Sequence, residues 1–83
     1  MFEDPQNDNK KCGTNGSSKR VFELRGSEAQ ELKCRSECLL RERCVAMSGV
    51  FEGNNSWCIG CKKALDIPSS GAKAFNKEGK PVY

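Results

Sequence analysis

A chain of 83 residues, 36% hydrophobic and 30% charged, makes one domain with a small core, since at this length folding hides only about 60–65% of the surface of the unfolded chain. No apolar run approaches the roughly 18 residues of a membrane-spanning helix, so no membrane span is expected. The net charge of +3 comes from 14 basic and 11 acidic side chains, well mixed along the chain, and the composition announces no nucleic acid partner.

Six cysteines with no histidine favour a disulfide framework formed in an oxidising compartment, hence a secreted or cell-surface protein. The missing histidine excludes His-dependent acid–base or nucleophilic catalysis within the chain. Met1-Phe-Glu-Asp-Pro lacks the basic and apolar regions of a secretory signal, and the chain reads as a mature protein or excised domain whose signal lay upstream. Two N-x-S triplets, at Asn15 and Asn54, fall in expected loops and are compatible with glycosylation.

In chain order, residues 1–18 are polar apart from Phe2 and Cys12 and read as a flexible lead-in stapled at Cys12. Residues 19–25, with Val21 and Phe22 between polar neighbours, predict a strand that Gly26 stops. Ser27-Glu-Ala-Gln30 is a capping-box pattern, which predicts a helix starting there. Ala29, Leu32, Leu39 and Leu40 share an arc of that helix beside Cys34 and Cys38, a core face with a disulfide flank. Arg41 and Arg43 suit its C-terminal end, where the helix dipole favours cations. Residues 44–51 read as the central strand, 52–56 as a hairpin turn and 57–62 as the returning strand. A loop over 66–71 precedes a possible last strand over 72–77, and residues 79–83 form a flexible tail.

Helical spacing turns Cys34 and Cys38 to one side, but their Cβ atoms, about 5–6 Å apart, lie too far from each other for a disulfide. Each needs a partner elsewhere, and Cys44 is the nearest candidate for Cys38. In a regular returning strand, Cys58 and Cys61 face opposite sides. Only one of them can meet the helix, and alternation groups Cys61 with Trp57 and Ile59 on the more apolar face.

The order of these parts, helix with Cys34-Arg-Ser-Glu-Cys38, short turn, Cys44-Val-Ala-Met, hairpin, Trp57-Cys58 and a closing Ser69-Ser-Gly-Ala-Lys-Ala-Phe75, resembles the PAN/Apple family. One member of that family is the N-terminal module of hepatocyte growth factor. The resemblance covers residues 19–78 and implies a small disulfide-rich α+β module, one helix packed on a short antiparallel sheet. It implies Cys38 bonded to Cys44 and Cys34 to a cysteine of the returning strand. The family's hairpin length favours Cys58 for that place, leaving Cys12–Cys61 as an outer staple. It also implies a binding module for a protein or carbohydrate ligand, an acidic glycan among the candidates. The residues themselves supply no nucleophile with its activating base, so no enzymatic activity is expected, and the even cysteine count predicts three disulfides with no metal or other cofactor. In the growth-factor module, basic residues near the hairpin bind sulfated glycosaminoglycans. The corresponding cations here are Lys62, Lys63, Lys73 and Lys77, which converge if the last strand pairs near the hairpin, and Arg41 and Arg43 at the helix end.

Three rival readings use the same residues. Trp57-Cys-Ile-Gly-Cys-Lys62 is similar to a thioredoxin active-site motif, but that chemistry needs the first thiolate at a helix N-terminus, and too little chain follows Cys61 for such a sheet. Cys34, Cys38, Cys58 and Cys61 could hold a four-thiolate zinc, at the cost of stranding Cys12 and Cys44. A disulfide-rich toxin or protease inhibitor shares the composition. Trp57 itself is read as core packed beside a disulfide rather than as a ligand-stacking residue.

Overall fold

A computed structural model of the chain describes residues 1–13 and 18–77. The Asn15 triplet and the tail expected over 79–83 lie outside the described residues, whereas Asn54 is exposed in the hairpin turn. Five antiparallel strands form the main sheet: β1 (Phe2–Glu3), β3 (Arg20–Arg25), β4 (Ala46–Val50), β5 (Trp57–Cys61) and β7 (Lys73–Asn76). Their spatial order is β1-β7-β4-β5-β3. One helix, α1 (Glu31–Leu40), covers one face, and a two-stranded ribbon of β2 (Lys10–Lys11) and β6 (Ile67–Pro68) packs behind the other. The molecule is a small disulfide-rich α+β module, as expected.

Alternation along the strands separates two cores. On the helix side, Phe22, Met47, Cys58 and Phe75 meet Ala29, Cys34, Cys38 and Cys44. On the second side, Ala46, Ile59, Cys61 and Ala74 meet Cys12 and Leu65, with Trp57 packed partly against them. Three disulfides join the layers: Cys34–Cys58 ties helix to sheet, Cys38–Cys44 ties the helix end to the start of β4, and Cys12–Cys61 ties the N-terminal segment to the second face. Among the cysteine partnerships open to the sequence, these are the ones the family resemblance favoured.

The helix starts later than the capping box predicts. Gly26, in the left-handed region at φ 63°, opens a 3-10 turn over Gly26–Glu28, closed by the Ala29 amide donating to the Gly26 carbonyl at 3.0 Å. Gln30 is extended and caps α1 without a side-chain hydrogen bond, so Ser27 and Gln30 do not form the reciprocal pair. The leucine face is likewise overturned: Ala29 is buried, but Leu32, Leu39 and Leu40 are 75%, 53% and 80% exposed. At about 100° per residue, Leu32 and Leu39 lie roughly 140–160° around the helix from Cys34. Two disulfides hold the cysteine side against the sheet, and the leucines go outward. Arg35 and Arg41 flank the buried side instead, their guanidinium groups 5.2 Å over the Phe75 ring and 5.5 Å over the Phe22 ring.

Residues 1–13 are a packed part of the fold rather than a loose lead-in. Phe2 and Glu3 pair with β7, the buried Asn7 amide donates to the buried Asp4 carboxylate at 2.7 Å, and the Asp8 carboxylate accepts the Ala74 amide at 2.8 Å. Hydrogen bonds hold this segment where apolar burial does not. The expected loop over 66–71 contains β6, whose residues Pro68 and Ile67 pair with Lys10 and Lys11.

A bulge in β3 aims one further side chain. Register shifts between Arg20 and Phe22, which leaves Phe22 on the helix side and turns Arg20 to the second side. There the Arg20 side chain is 4% exposed, pairs with Glu23, and donates to the carbonyls of Cys12 and Gly13 at 2.9 Å each.

Candidate functional site

Four chain segments run side by side at the end of the sheet nearest the C-terminus of α1. The Lys77 amide donates to the Val45 carbonyl at 3.1 Å, the Val45 amide to the Cys61 carbonyl at 2.8 Å, and the Lys62 amide to the Lys19 carbonyl at 3.0 Å. Strands lie about 4.8 Å apart, so Lys77, Lys62 and Lys19 are laid across one edge with Val45 between the first two. Lys63 and Arg43 extend the same end, both exposed, and with Lys62 they make no ion pair among the described residues.

Arg41 closes the helix. Its guanidinium donates to the Glu37 carboxylate at 3.0 and 3.2 Å while covering Phe22, and its carbonyl accepts the Lys77 ammonium at 2.8 Å. Arg41 and Lys77 are therefore partly committed to structure. Lys19 is 3.2 Å from Asp66, and this hydrogen bond holds the Asp66 carboxyl below its ordinary value. The carboxylates interleaved at this end are Glu37, Glu42 and Asp66.

Lys73 does not join the group. It lies opposite Gly49 at the other end of β7, 2.6 Å from Glu3 and 3.7 Å from Glu31. Its hydrogen bond to Glu3 raises the Lys73 ammonium above its ordinary value and lowers the Glu3 carboxyl. The last strand does pair with the hairpin, through β4, which brings Lys77 to Lys62, but Lys73 opens β7 and Lys77 follows its last residue, so the two stand at opposite ends of the strand. Five of the six expected cations thus share one end, and Lys19, which was not among them, stands beside Lys62.

The remaining chemistry-bearing residues are the cysteines and Trp57. All six sulfurs are in disulfides, so Cys34, Cys38, Cys58 and Cys61 present no thiolates to a zinc ion. Cys58 and Cys61 sit on a strand, fully buried and bonded to different partners, which differs from a redox motif at a helix N-terminus. Trp57 is only half-buried and stands across from Arg25 in the β3–β5 pairing, on the second face with Ile59.

Comparison with protein-family models, curated proteins and solved structures finds no match for this chain. The three disulfides are compatible with an extracellular location, and among the described residues no helix is long and apolar enough to cross a membrane.

Proposed function

We propose that this chain is a secreted or cell-surface binding module of PAN/Apple type, without catalytic activity, that takes an acidic glycan at the basic end of its sheet. The observation that carries the reading is the alignment of Lys77, Lys62 and Lys19 across adjacent strands, with Lys63 and Arg43 beside them. A polyanion is favoured over a protein surface because lysine is depleted in the cores of protein–protein interfaces. A row of lysines, exposed at Lys19 and Lys63 and half-buried at Lys62 and Lys77, instead suits a chain of repeated negative charges, whose attraction reaches about 8 Å at physiological salt. The disulfide pattern supports the family reading, and the burial of Cys58 and Cys61 in separate disulfides argues against thiol exchange as the activity.

Retention on immobilised heparin across a salt gradient tests this. The Lys62→Ala/Lys63→Ala protein should elute at clearly lower salt than the parent, while Lys73→Ala, at the far end and paired with Glu3, should elute with it. Equal retention of all three would remove the basic end as the site.

A further inference from the structure

The Asn54-Asn-Ser56 triplet of the hairpin turn stands beside a hollow at the far end of the sheet from the lysine row. This hollow, about 460 Å³, lies between the turn, the 3-10 segment Gly26–Glu28 and the first residues of α1, and is lined by Ser27, Ala29, Gln30, Phe51, Asn54 and Ser56, among others. Its volume falls within the roughly 300–1,000 Å³ of small-ligand sites. The hollow on the other side of Asn54, toward Trp57, is only about 180 Å³.

We propose that Asn54 is an N-glycosylation site and that the first sugar of its glycan lies in the larger hollow, against Phe51. The inference rests on the secreted location proposed above and not on the basic end of the sheet. Three observations carry it. Asn54 is exposed in the turn, and among the described residues its side chain makes no hydrogen bond, so the amide is available to react. The Ser56 hydroxyl, the third member of the triplet, donates to the Gly53 carbonyl at 3.1 Å in a solvent-exposed bond, which an enzyme surface can exchange for its own at little net cost.

Phe51 supplies the third. It precedes Asn54 by three residues, and its ring is fixed in place. A Cβ added to Gly49 would lie 2.9 Å from the Phe51 Cζ, and the ring meets Phe75 edge-on with centroids 6.2 Å apart. Phe51 is nevertheless only partly buried, packed against the first core while lining the hollow, so a contact with it has little side-chain ordering left to lose. An N-acetylglucosamine ring offers a face of C–H groups to such a surface, and covering the aromatic carbon removes apolar area from water. Its polar groups would meet Ser27 and Gln30, side chains that both donate and accept.

The transfer balances without an oxidant or reductant. The Asn54 side-chain nitrogen attacks the anomeric carbon of a lipid-linked oligosaccharide, the C–N bond forms as the C–O bond to phosphate breaks, the amide gives up one proton, and the lipid pyrophosphate leaves. Donor and transferase belong to the secretory compartment in which the disulfides also form.

Translated into secretory microsomes behind a supplied signal peptide, the Asn15→Gln chain, which keeps only the Asn54 triplet, should gain the mass of one core oligosaccharide. Asn54→Gln or Ser56→Ala in that chain should abolish the gain. Lys62→Ala/Lys63→Ala should gain the same mass, so the basic end can fail as a binding site without touching this inference. In the purified glycoprotein, trimmed enzymatically to its first sugar, the sugar protons should be shifted upfield by the Phe51 ring, and the melting temperature should exceed that of Asn54→Gln. Phe51→Leu should remove both effects when it is compared with its own Asn54→Gln counterpart, so that any general loss of stability cancels. The proposal is overturned if no mass is gained at Asn54, if the sugar protons keep the shifts of the free sugar, or if Phe51→Leu preserves the stabilisation.

Discussion

Cys58 and Cys61 stand on opposite faces of the same five-residue strand, and each bonds a different layer of the molecule. Cys58 reaches Cys34 on the helix, and Cys61 reaches Cys12 in the N-terminal segment. The three-residue spacing that resembles a redox motif is thus one that lets an interior strand be stapled from both sides. β5 lies between β4 and the edge strand β3, so both bridges converge on an interior strand that is paired on each side.

The bridges differ in the length of chain they close. Sequence separations are 6 for Cys38–Cys44, 24 for Cys34–Cys58 and 49 for Cys12–Cys61. In the chain-entropy model these correspond to about 2.4, 3.5 and 4.1 kcal/mol of stabilisation. Replacing each pair with serines and unfolding the variants in urea should give losses in that order, with the Cys38–Cys44 variant the most stable of the three. A Cys38–Cys44 variant less stable than the Cys12–Cys61 variant would reject loop entropy as the dominant contribution.

Gly60 is constrained by Phe22. The two residues pair across β3 and β5, and a Cβ on Gly60 would run into the Phe22 ring. The ring covers the glycine, so the position has no room to give without moving a core aromatic. Gly60→Ala should destabilise by about 1–3 kcal/mol, the usual cost of overpacking. In a Phe22→Leu background the same substitution should cost less, because the obstructing ring edge is gone. Equal losses in both backgrounds, measured by thermal unfolding, would refute the steric account.

Strands at residues 19–25 and 57–62 were legible because β-favouring residues and turn signals agree with the tertiary structure, which forms them over Arg20–Arg25 and Trp57–Cys61. Residues 1–13 were misread because Asp4, Asn7 and Asp8 are fixed by hydrogen bonds to one another and to β7, and polar composition gives no sign of such partners. The basic end was legible as residues but not as a set. Only the order of strands shows that Lys73 points to Glu3 and Glu31, and that Lys19 stands next to Lys62. Arg20 was missed as an anchor because a bulge, invisible in the residue pattern, turns it to the second face.

Leu32, Leu39 and Leu40 give a direct test of which side of α1 is buried. Apolar periodicity assigns them to a core, whereas the disulfides hold the opposite side against the sheet. Single substitutions to glutamine should each change unfolding free energy by no more than about 0.5 kcal/mol, as for surface positions generally. A loss of 2 kcal/mol or more, in the range of about 2–5 kcal/mol seen for truncated core leucines, would mean that these side chains are covered in solution.

Glu3 and Lys73 link the first and last strands of the described sheet, and their protonation sets where that link acts. The hydrogen bond from Lys73 lowers the Glu3 carboxyl below its ordinary 4.5, and Glu3 in turn raises the Lys73 ammonium above its ordinary 10.5. A depressed carboxyl contributes stability that is complete above its unfolded value and disappears as pH falls through the folded one. A raised ammonium contributes stability that is complete below its unfolded value and disappears as pH rises through the folded one. The pair therefore stabilises across the neutral range and fails at both ends. Both groups are solvent-accessible, so the effect is small and is screened by salt. Glu3→Gln should melt slightly below the parent near neutrality at low salt. That gap should close as pH falls below 4.5, where the parent loses the same charge, and again as pH rises beyond 10.5. Melting temperatures measured across pH should trace a plateau in the difference between the two proteins, flattened by added salt. A difference that persists into acid would show that the substitution acts through β1 pairing rather than through the ion pair.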